Sequence, residues 1–131
     1  MLNRRAMLSI AAAALLPVGA AFAAAMIAPA YEPAAFKAAQ DSGKPILVEI
    51  HAVWCPTCKA QSAVLEPMLK QDAFKGMAVF RVDFDDQAPV VKGFHANTQS
   101  TLIVFKGAKE VARAVGVTNP AAIEALLRKA I

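Results

Sequence analysis

"ILVEIHAVWCPTCKA", residues 46–60, holds the only tryptophan of the chain and both of its cysteines, Cys55 and Cys58, which are separated by Pro56-Thr57. Its two halves obey different periodicities. From Pro45 to Val53 the residues are aliphatic and β-branched with few polar breaks, as expected of a strand covered on both faces. From Cys55 onward Pro56 suits the first turn of a helix, and Ala60, Val64, Leu65 and Met68 keep a helical spacing. The pattern predicts a helix from about Cys55 to Gln71, bent where Pro67 removes a backbone hydrogen bond.

A strand that runs into a helix at this point puts Cys55 at a helix N-terminus. Unpaired N–H groups and the helix dipole stabilise an anion there, and the thiolate is the nucleophile of disulfide exchange. Cys58, one turn further in, faces the same side and is more buried. Cys55 is then the attacking thiol and Cys58 the resolving one.

Working outward, "PAAFKAAQ" (33–40) reads as a helix that begins with proline and stops before Asp41-Ser42-Gly43. "MAVFRVDF" (77–84) is a second strand, followed by a turn-prone acidic group, Asp83, Asp85 and Asp86. A short helix over Ala88–Phe94 follows. "STLIVFKGAKEVARAVG" (100–116) reads as a hairpin joined at Lys106-Gly107-Ala108-Lys109. Asn119-Pro120 caps a last helix reaching Ile131, with Ile123, Leu126 and Leu127 on one face. This order predicts an α/β fold with a central mixed sheet and helices on both faces.

The first 25 residues are of another kind. "MLNRRAMLSIAAAALLPVGAAFAAAM" (1–26) has a positive head at Arg4-Arg5, an apolar run from Ala6 to Leu16, and then small residues, the layout of a cleavable secretory signal peptide. Ala21-Phe22-Ala23 or Ala23-Ala24-Ala25 supplies the cleavage site. The paired arginines suit either the general secretory route or the twin-arginine route. The apolar run is too short for a bilayer core of about 30 Å, so no permanent membrane anchor is expected. Residues 26–131 are left as one domain in an oxidising compartment, most naturally the periplasm.

With 57% hydrophobic and 18% charged residues in a 131-residue chain, disorder by composition is excluded. The net charge of +4 includes Arg4-Arg5, and from Lys37 to Lys129 the basic residues are scattered with no run or aromatic interleaving, so there is no nucleic-acid footprint.

The stretch from Ile46 to Lys59 resembles the thioredoxin family: an aliphatic strand, an acidic residue six positions ahead of the first cysteine, then Trp-Cys-x-x-Cys-Lys. The likeness runs from about Pro33 to Ile131 and includes "STLIVFKG" before the hairpin and Gly116 after it. It implies a thiol:disulfide oxidoreductase that exchanges disulfides with protein substrates and needs no cofactor. Trp54 would cover the dithiol, Cys55 would be the nucleophile and Cys58 the resolving thiol. Glu49 would be a buried carboxylate under the pair, its pKa raised by desolvation so that it can take the proton of Cys58. Arg81 falls near that carboxylate, where the family often has lysine, and moderates the effect.

The chain departs from the family pattern in three places. Glu49 replaces the usual Asp, and His51 replaces an aromatic residue; its default reading, like that of His95 in a loop, is packing or surface. Ser100 stands where the family has a cis-proline directly before the position of Thr101, a loop that shapes the peptide groove. Two forms of the bond before Ser100 are open, trans or a costly cis. Serine also brings a backbone N–H and a hydroxyl beside the thiols. Pro56-Thr57 resembles the dipeptide of some periplasmic reductases, and with Trp54, Ser100 and Thr101 it would shape the active site.

Two other readings compete. The thiolates could hold Zn²⁺ or copper with His51 or His95, but a structural zinc site needs four ligands and only two are at motif spacing. A permanent Cys55–Cys58 staple would close so short a loop that its entropic gain is small. Glu49 favours a reductase, supplied by a membrane electron carrier, although the compartment favours an oxidant.

Overall fold

The computed structural model describes residues 28–131, so the predicted signal peptide and its cleavage site lie outside the described residues. The elements follow in the order α1 (Pro33–Asp41), β1 (Pro45–His51), α2 (Pro56–Met68), β2 (Ala78–Asp83), α3 (Ala88–Gly93), β3 (Thr101–Lys106), β4 (Lys109–Val115) and α4 (Pro120–Arg128). The strands form one mixed sheet in the order β2-β1-β3-β4. β2 runs parallel to β1 across the α2 connection, while β3 is antiparallel to both β1 and β4. The predicted α/β architecture is the one observed.

Alternation along the strands sends residues to two separate cores. Ile46, Val48 and Ile50 of β1 join Phe36 and Ala39 of α1 and Val91 of α3 on one face. Leu47 joins Leu65 and Met68 of α2 and Ile123, Leu126 and Leu127 of α4 on the other. β1 is central and buried at every position from Ile46 to Ile50, which is why its sequence is an unbroken apolar run but for Glu49.

The boundaries differ modestly from those predicted. β1 ends at His51 rather than Val53, and α2 begins at Pro56 and ends at Met68 rather than Gln71. Pro67 lies in the last turn of α2, where it removes the one bond its own N–H would make to Ala63 O, and the helix ends at the next residue. The hairpin turn depends on Gly107, whose φ of 58° is left-handed and whose N–H bonds Lys44 O at 3.0 Å. A Cβ there would come within 3.4 Å of Gln40 O and the Gly43 Cα. Val111 is an extra residue in β4, since the register shifts between Val104↔Ala112 and Phe105↔Glu110.

Candidate active site

The C-terminal end of β1 and the N-terminal end of β3 lie at the same edge of the sheet, because Ile50 pairs with Thr101. The dithiol, the Ser100 loop and the acidic loop after β2 all gather there. Cys55 is the N-cap of α2, with extended backbone (φ −85°, ψ 111°), and its Sγ accepts the Cys58 N–H at 3.1 Å. The helix-start prediction is thus realised as a sulfur held by the first turn's own orphan donor. The two cysteines are joined as a disulfide, with their Cα atoms 5.3 Å apart. Cys55 is 4% exposed and Cys58 1%, and they pack with Ala52 and Phe84.

Beside this buried pair the surface is apolar and open. Val53 is 87% exposed and Trp54 58%. The Trp54 indole N–H donates to Asp85 Oδ2 at 2.7 Å. Asp85 is itself placed by Asp83, whose Oδ1 accepts the N–H groups of Asp85 and Asp86 at 2.9 and 2.8 Å. The acidic group read from sequence as a turn therefore also anchors the tryptophan. Pro56 is exposed and Thr57 half-buried.

Glu49 is buried in β1, on the side chain's α2-facing side, and Arg81 lies opposite it in register on β2. Arg81 donates to Glu49 Oε2 from Nη2 at 2.8 Å and Nε at 3.2 Å, and to Ser62 Oγ of α2 at 3.0 Å. Arg81 is also fixed through its backbone, which accepts from Tyr31 N and donates to Pro29 O. Burial raises the pKa of Glu49 and Arg81 opposes it; burial wins, and the carboxyl is held above its ordinary value. A cavity of about 80 Å³ borders this pair, lined also by Ser62, Glu66, Lys75 and Met77.

His51 ends β1, half-buried and opposite Asp83. Its pKa is lowered, first by burial and then by Arg81, with Asp83 opposing. His95 is exposed in the loop after α3, at φ 54°. Among the described residues no three His, Cys, Asp or Glu side chains are grouped to hold a metal ion.

At Ser100 the two open forms are resolved, since the described residues contain no cis peptide bond and Ser100 adopts a left-handed φ of 57°. The Ser100 hydroxyl gives its proton to Gln99 O at 2.6 Å, so it has no second proton to donate towards the sulfurs. Thr101 is buried and its Oγ1 donates to Thr98 O at 2.8 Å. A serine in the left-handed region has no φ constraint of its own, so hydrogen bonds to the carbonyl hold it instead.

Those bonds come from a residue the motif did not point to. Gln61 is buried on the same stripe of α2 as Cys58, Leu65 and Met68. Its Nε2 donates to Ser100 O at 3.1 Å and to Val117 O at 2.9 Å. A polar side chain on an otherwise apolar helical stripe was the available signal.

A disulfide at the start of a helix, at the end of a central strand of a mixed sheet, with a buried carboxylate behind it, defines a thiol:disulfide oxidoreductase site. The comparisons agree: the thioredoxin family model matches residues 26–129, and the chain belongs to the thioredoxin family. It is similar to Thioredoxin-2 of Saccharomyces cerevisiae, 36% identical over 81 residues that cover 62% of this chain and 75% of that one. A thioredoxin of Mycobacterium tuberculosis is 35% identical over 82 residues, covering 63% and 70%. Among solved structures, Trxlp from Edwardsiella tarda superposes with a TM-score of 0.74 at 42% identity, covering 76% of this chain and 96% of that one. Proteins of this family act on protein disulfides.

Proposed function

We propose that this chain is an exported thiol:disulfide reductase of the periplasm, in which Cys55 attacks and Cys58 resolves. The Cys55 thiolate, stabilised by the α2 N-terminus, attacks one sulfur of a substrate disulfide, and the other substrate sulfur leaves as a thiolate. Glu49 takes the proton of Cys58, whose sulfur then attacks Cys55 Sγ and releases the substrate sulfur bound there as a thiolate. The substrate gains two electrons and the enzyme is left with the Cys55–Cys58 bridge. A membrane electron carrier returns two electrons to that bridge.

The observation that carries this reading is the Cys58 N–H on Cys55 Sγ at the end of a strand that buries Glu49. The reductase direction rests on Glu49, a buried carboxyl held above its ordinary pKa and hence a stronger proton acceptor than an exposed Glu. Trp54, Pro56 and Thr57 offer surface beside the disulfide for the substrate polypeptide, and Ser100 and Thr101 shape the adjoining loop from beneath, being buried. Export rests on the sequence of residues 1–25, with either the general or the twin-arginine route.

Titration of the mature protein against glutathione, followed by Trp54 fluorescence, tests the reading. A two-electron midpoint near about −270 mV supports a reductase, and one near about −120 mV makes it an oxidant. Absence of any transition overturns the exchange reading. Mass analysis of the cell-expressed protein should find a mature N-terminus at Ala24 or Met26 in the periplasmic fraction; a full-length cytoplasmic chain refutes export.

A further inference from the structure

We propose that Gln61 is a positioning residue that does for the Ser100 loop what a locked φ would do, setting the surface on which the substrate polypeptide binds. The inference rests on the oxidoreductase reading and deepens it. A serine at φ 57° sits in a region that disfavours any side chain bearing a Cβ, and such a residue persists only where its surroundings over-determine it. Here the determinants converge on one atom, the Ser100 carbonyl oxygen. It accepts the Gly116 N–H at 2.9 Å and Gln61 Nε2 at 3.1 Å.

Among the described residues Gln61 is the one side chain from another element that bonds Ser100. Its second amide bond, to Val117 O, ties the β4–α4 connection into the same point. Gln61 stands three residues after Cys58, so it follows the resolving cysteine by one turn on the same buried stripe. One side chain therefore links the helix that carries both thiols to the two loops at the dithiol's end of the sheet. A buried primary amide with both donor directions used is expensive to replace by an apolar group, since the buried Ser100 O would lose one of its two donors and the half-buried Val117 O its side-chain partner.

Polypeptide disulfides must reach the buried sulfurs across this edge, whereas a positioning residue touches no reacting atom. Its removal is therefore expected in KM rather than in kcat. The test is Gln61→Met, of similar length and without donors, assayed with insulin as the protein disulfide. Expected is a KM raised about tenfold with kcat changed less than about twofold, and faster hydrogen exchange at the Gly116 amide. Ser100→Gly adopts φ 57° without a Cβ penalty and keeps the carbonyl, so the double variant should raise KM over Ser100→Gly by less than Gln61→Met raises it over wild type.

Unchanged KM in Gln61→Met, or a fall in kcat matching the whole loss in kcat/KM, overturns the proposal. Additive effects in the double variant also overturn it. If Gln61→Met does not fold, Gln61→Asn decides, since its amide falls a methylene short of both carbonyls and its KM must rise. Failure of the wild-type protein to exchange with glutathione would instead sink the oxidoreductase reading, whatever the variants do.

Discussion

At the scale of single residues, the chemistry depends on which sulfur the helix start holds. Cys55→Ser should abolish exchange, whereas Cys58→Ser should accumulate mixed disulfides between Cys55 and substrates, detectable on non-reducing gels. Full activity in the first variant, or an absence of adducts in the second, would reverse the assigned roles. The two shifted groups near the pair give opposite pH signatures. Glu49 is held above its ordinary pKa, so its folded form binds a proton more tightly than its unfolded form. Its contribution to stability is greatest at low pH and is lost as pH rises from the ordinary Glu value through the raised one. His51 is held below its ordinary pKa, so stability is lost as pH falls through about 6.5, where the unfolded chain takes up the proton first. Denaturation of the oxidised protein should show the stability of wild type relative to Glu49→Gln falling as pH rises above the ordinary Glu value of 4.5. Wild type relative to His51→Gln should change the other way, losing stability below about pH 6.5; either difference constant with pH would refute the assignment.

At the scale of elements, the Ser100 loop separates this chain from a simple reading of its family pattern. Restoring the proline looks conservative by sequence, yet proline locks φ near −65° and Ser100 sits at 57°. Ser100→Pro should therefore destabilise the protein by about 2–3 kcal/mol, read as a lower denaturant midpoint with an unchanged slope. A variant as stable as wild type would mean that the loop re-forms at no cost. By contrast, α4 illustrates an element fully specified by local signals. Asn119 Oδ1 accepts the Ala122 N–H at 3.1 Å, Pro120 opens the first turn, and Ile123, Leu126 and Leu127 are buried on one face, as their spacing predicts.

At the scale of the whole molecule, one central strand serves two cores, and the site sits where both end. Leu127, fully buried against Leu47 and Leu65 on the α2 face, tests this. Leu127→Ala should cost about 2–5 kcal/mol, a Tm fall measurable by calorimetry, while the glutathione midpoint stays in place because no thiol contact changes. A midpoint that moved with Tm would show that packing of α4 and redox poise are coupled.

The order of elements, the buried character of β1, the caps of α2 and α4 and the position of the dithiol were all determined by the sequence, because each depends on neighbours a few residues away or on a short periodicity. What only the tertiary structure decided lies between distant segments. The Arg81 contact with Glu49 spans 32 positions, the Trp54 contact with Asp85 spans 31 and the Gln61 contact with Ser100 spans 39. Residues separated so far meet only once β1, β2 and β3 are in register; Arg81 could be placed beside Glu49 only through the family resemblance, and no local pattern announced the other two contacts. Ser100 is the sharpest case: the sequence showed that proline was missing, and the fold alone supplied the glutamine that holds the carbonyl in its place.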